Sequence, residues 1–84
     1  MITVKLARQL ELDIRKCQET VDSYERGQAC RLLNELIDSY EQYLPRIRSG
    51  LSLFFPGGFD CVGDVIKVQK DLQRLYNQLK QGML

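Results

Sequence analysis

Apolar side chains recur along this chain at alternating steps of three and four. Ala7, Leu10, Ile14, Cys17, Val21 and Tyr24 form one such stripe in the first third. Charged and amide residues fill the positions between. Spacing of this kind places the apolar set on one face of a helix. The pattern predicts a first helix over about residues 3–26, with Thr3 as N-cap and Gly27 as the glycine beyond its end.

A second stripe runs through Cys30, Leu33, Ile37, Tyr40, Leu44, Ile47, Leu51 and Phe54. Ala29, Leu36 and Tyr43 widen it to one side, with Leu32 next to Leu36. A face this broad touches two neighbours, so the second helix, over about 28–54, is expected to be the middle one. Pro45 interrupts it. Proline removes a backbone donor and crowds the preceding turn, at about 3 kcal/mol in a helix interior. The stripe keeps its phase across Pro45, which predicts a kink; a break at Leu44 is the alternative.

Pro56-Gly57-Gly58 is turn chemistry and marks a loop. Asp60 is a good N-cap for a third helix over about 61–81. That helix carries Val65, Val68, Leu72, Leu75 and Leu79, with Ile66 and Tyr76 beside them. Gly82 suits its C-terminal end. No strand pattern competes. The chain is read as a single all-α domain over 1–84, an up-down-up three-helix bundle whose middle helix is kinked or broken near Pro45.

One segment nearly repeats. Glu19-Thr20-Val21-Asp22-Ser23-Tyr24-Glu25 returns as Glu35-Leu36-Ile37-Asp38-Ser39-Tyr40-Glu41. The shared apolar positions are stripe positions, so packing on two similar helices accounts for much of the match.

Composition narrows the function classes. The 84 residues are 44% hydrophobic and 27% charged, with a net charge of +1. That is globular, with no strong field for nucleic acid or anionic lipid. The basic side chains Arg46, Arg48, Lys67, Lys70 and Arg74 leave nucleic-acid binding as a weaker reading. Charge arrives too early in the first residues for a signal peptide, and no run is long enough to span a membrane. A cytoplasmic protein is expected.

The chain lacks histidine, the commonest general base and metal ligand. No phosphate loop, zinc spacing or nucleophile elbow is present. No enzyme activity, metal or cofactor is expected. Cys17, Cys30 and Cys61 are odd in number and lack C-x-x-C spacing. They are read as reduced, buried thiols. A hairpin at Gly27 sets Cys17 and Cys30 roughly 10 Å apart in height, which argues against their pairing.

What remains is apolar surface. Phe54, Phe55 and Phe59 cluster around the turn, either as a plug closing the bundle or as an exposed docking knob rimmed by Arg46 and Arg48. Leu36, Tyr40 and Tyr43 widen the middle helix beyond what two short neighbours cover. These eight residues are the candidate partner-binding set. The expected function is a protein-interaction module (adaptor, chaperone-like or inhibitor), with a coiled-coil homodimer as the alternative. In general character the chain resembles the small helical adaptors and export chaperones of bacterial secretion, a likeness of architecture that implies no particular site.

Overall fold

A computed structural model describes residues 2–44, 47 and 61–82, with side chains from Val4 onward. Three helices pack against one another: α1 over Ile2–Ser23, α2 over Arg26–Tyr40 and α3 over Cys61–Lys80. There is no strand among the described residues. The stripes become the core. Leu10 and Cys17 from α1, Ala29, Leu33, Leu36 and Ile37 from α2, and Val65, Val68, Leu72 and Leu75 from α3 are all buried. Each large aliphatic side chain so buried contributes about 1.5–3 kcal/mol.

Several boundaries differ from expectation. α1 begins at Ile2, so Thr3 lies within the helix rather than capping it. The first break falls at Tyr24, not at Gly27. Tyr24 adopts a left-handed backbone with φ of 53°, and its N–H donates to the Val21 carbonyl at 3.2 Å. The Ser23 hydroxyl donates to the Thr20 carbonyl at 2.9 Å and accepts from the Glu25 N–H at 3.4 Å. These local bonds end α1 before the glycine is reached, because serine side chains compete for backbone groups. Gly27 lies in the first turn of α2. Tyr24, read as the last stripe residue, is 77% exposed.

α2 stops at Tyr40 rather than running to Phe54. A turn follows at 41–43, where the Leu44 N–H donates to the Tyr40 carbonyl at 2.8 Å. A residue that precedes proline is disfavoured in helical geometry, which fits an end before Leu44. Pro45 and Asp60 lie outside the described residues, as does any kink at Pro45. At the other end Gly82 has φ of +72°, and its N–H donates to the Leu79 carbonyl at 3.1 Å. That is the glycine end read from the sequence.

The order of helix directions also differs. Glu11 meets Tyr76, while Ile14 and Gln18 meet Gln69. Rising numbers in α1 thus face falling numbers in α3, and the two helices are antiparallel. Cys30 and Cys61 are joined with Cα atoms 5.1 Å apart, so α2 and α3 start at the same end and run parallel. The arrangement is up-down-down, not up-down-up. The physical reason is the early end of α2. It leaves residues 41–60 between Tyr40 and Cys61, enough chain to return to the starting end, where a tight turn at Pro56-Gly57-Gly58 would have reversed direction.

The expectation of three reduced thiols is corrected with it. Cys30 and Cys61 form a disulfide, and only Cys17 is free and buried. Its non-pairing with Cys30 agrees with the height argument. The Cys30–Cys61 pairing was hidden because it depends on the parallel α2/α3 packing.

Candidate functional site

The early part of α1 and the late part of α2 meet at the end of the bundle opposite the disulfide. Lys5, Leu6 and Gln9 from α1 and Ser39, Tyr40, Gln42 and Tyr43 from α2 and its following turn line a shallow cleft there. Leu6 is half-buried and packs against the core. Tyr43 stands at the rim, 36% exposed.

Tyr40 forms the fixed side of this cleft. It is 1% exposed, and its hydroxyl donates to an Asp13 carboxylate oxygen at 2.5 Å. Asp13 is buried too. Its two oxygens also accept from the Gln9 amide at 3.1 and 3.0 Å, and Lys16 lies 3.9 Å away. Burial, the hydrogen bond to Asp13 and the nearby charges together raise the Tyr40 phenol far above its ordinary range. Burial, with Asp13 nearby, lifts the Cys17 thiol to about 12. Cys17 is therefore neither an accessible nor an ionised nucleophile at neutral pH.

The candidate partner-binding residues fall into three groups. Leu36 and Tyr40 are turned into the core, so the width of α2 is taken up by α1 and α3. Tyr43 remains at the surface. Arg46, Arg48, Phe54, Phe55 and Phe59 lie outside the described residues. Of the basic residues named for nucleic acid, Lys67 reaches Asp64 at 3.7 Å and Arg74 reaches Asp71 at 3.5 Å.

Asp13 is not among the candidates that the sequence offers. It stands among the charged residues between the apolar positions of α1. Yet it lies three residues after Leu10 and four before Cys17, inside the stripe's own phase. A charge at such a position is the sequence signal of a buried polar contact.

A second surface runs between α1 and α3. Val4, Ala7 and Leu79 form its apolar floor, with Arg8, Glu11, Tyr76 and Lys80 around it. The Tyr76 hydroxyl donates to the Glu11 carboxylate, and the Lys80 ammonium lies 5.0 Å from the Tyr76 ring centre. Farther along, the Gln69 amide donates to the Ile14 carbonyl and to Gln18, each at 3.3 Å. These contacts bind α1 to α3.

No group of His, Cys, Asp and Glu among the described residues could hold a metal ion. No helix among them is long and apolar enough to cross a membrane. Comparison of the chain with protein-family models, with curated proteins and with solved structures finds no match.

Proposed function

We propose that the chain is a small helical protein-interaction module, adaptor- or chaperone-like, which takes a segment of another protein in the cleft between Leu6 and Tyr43. One observation supports this reading. The cleft joins a tyrosine held rigidly by Asp13 to a second tyrosine left open at the rim. An aromatic ring presented from a fixed support costs little conformational entropy on binding and is a recurrent hot spot. The working environment would be one in which Cys30–Cys61 is oxidised for at least part of the time.

The test is site-specific photo-crosslinking in the native host. A photoreactive residue at Tyr43 should yield an adduct with one partner protein. The same residue at Tyr24, at the far end of the bundle, should yield none. An adduct of twice the chain's own mass would show self-association instead. No adduct at Tyr43 would remove the cleft from consideration.

A further inference from the structure

The disulfide stands apart from the cleft, and its two cysteines are unequally placed. Cys61 is 1% exposed, whereas Cys30 is partly open to solvent. The third cysteine, Cys17, is fully buried on α1. The bond ties the second turn of α2 to the first residue of α3, two parallel helices with no short connection between them. Both helices also pack against α1.

We propose that Cys30–Cys61 is a redox switch, operated by a dithiol reductant through Cys30, which sets how firmly the parallel α2/α3 pair is held. The reductant's thiolate attacks Cys30 Sγ. A mixed disulfide forms there as the Cys30–Cys61 bond breaks, and the electron pair leaves on Cys61 Sγ, which takes a proton. The reductant's second thiol then displaces Cys30, which takes a proton as well. The net change is two protein thiols and one oxidised dithiol.

Two features make this a clean two-state device. Attack is directed to one sulfur, because Cys61 is shielded. Exchange with Cys17 is blocked, because that thiol is buried and held protonated. Reduction leaves the apolar core and the α1/α3 contacts in place, so the helices persist. What changes is the freedom of the unfolded chain, and through it the ease with which the α2/α3 pair comes apart. Opening a loop of 31 residues lowers the folding equilibrium constant about several hundred-fold.

The test uses the full chain in native buffer with graded dithiothreitol, followed by alkylation and peptide mass spectrometry. The expected result is a reduction rate proportional to reductant, alkylation of Cys30 and Cys61, and protection of Cys17 until denaturant is added. Glutathione in place of dithiothreitol should leave a trapped adduct on Cys30. The Cys17→Ala variant should behave identically, and helical circular dichroism should survive reduction. Three thiols in the air-oxidised protein would overturn the proposal. So would a reduction rate independent of reductant, a rate that merely tracks global unfolding, an adduct on Cys61, or loss of the helices on reduction.

Discussion

The Tyr40 hydroxyl and the Asp13 carboxylate, 27 positions apart, meet at 2.5 Å between α2 and α1. Both residues are buried, and the bond ties α2 to α1 across that interface. Removing the donor strands part of a buried carboxylate, whose remaining partners are the Gln9 amide and Lys16. Tyr40→Phe is expected to lower stability by about 1–3 kcal/mol, read as a reduced urea midpoint with an unchanged slope.

The same pair gives an alkaline limit. Tyr40 and Cys17 both keep their protons in the folded state well beyond their ordinary values of 10.0 and 9.0. Above those values the unfolded chain loses protons that the folded chain retains. Stability is therefore full below about pH 9 and falls as pH rises, by about 1.4 kcal/mol per pH unit for each group. Denaturation between pH 8 and 11 checks the slope. Cys17→Ala and Tyr40→Phe should each flatten it.

The turn between α1 and α2 has its residues in an unfavourable order. Tyr24 carries the left-handed backbone, while Gly27 sits in a helical turn with open space about its Cα. Tyr24→Gly relieves the steric cost of a side chain at positive φ. Gly27→Ala restricts the unfolded chain and favours the helix. Each should raise stability by about 0.5–1 kcal/mol, visible as a higher melting temperature.

Replacing both bonded cysteines, as Cys30→Ser with Cys61→Ser, should cost about 3–4 kcal/mol from loop entropy alone. Chemical denaturation of the variant beside the oxidised chain measures it. Reduced wild type should match the variant closely.

Tyr43→Ser separates binding from folding. The side chain is at the surface, and changes there stay within about 0.5 kcal/mol. Thermal melting should be unchanged while the partner adduct formed by a photoreactive residue at Gln42, elsewhere on the cleft, disappears.

The helices were legible because their information is local. The steps of three and four marked α1 and α3, and Gly82 marked the end of α3. Relations between segments were less so. Tyr40 looked like surplus surface because its partner, Asp13, lies on another helix. Cys30 and Cys61 looked like separate thiols because their meeting depends on the directions of α2 and α3. Those directions turn on where α2 stops, and a stripe that held its phase through Leu51 and Phe54 concealed that end. The glycine at 27 drew the turn toward itself, although Ser23 and Tyr24 make it.

The parallel course of α2 and α3 has an electrostatic consequence. Each helix carries about half a positive charge at its N-terminus and half a negative charge at its C-terminus. In an up-down-up bundle the ends also fail to cancel, but the middle helix is the odd one out. Here α1 is the odd one, and two N-termini lie side by side at the disulfide end. That end gains an excess of about half a positive charge, and the cleft end an equal negative excess. Asp64 in the first turn of α3 and Lys80 in its last turn each sit where they oppose that imbalance. The backbone alone is thus a weak electric dipole, with its positive pole at the sulfur bridge and its negative pole at the two tyrosines, and the full charges of Asp64 and Lys80 oppose it at either end.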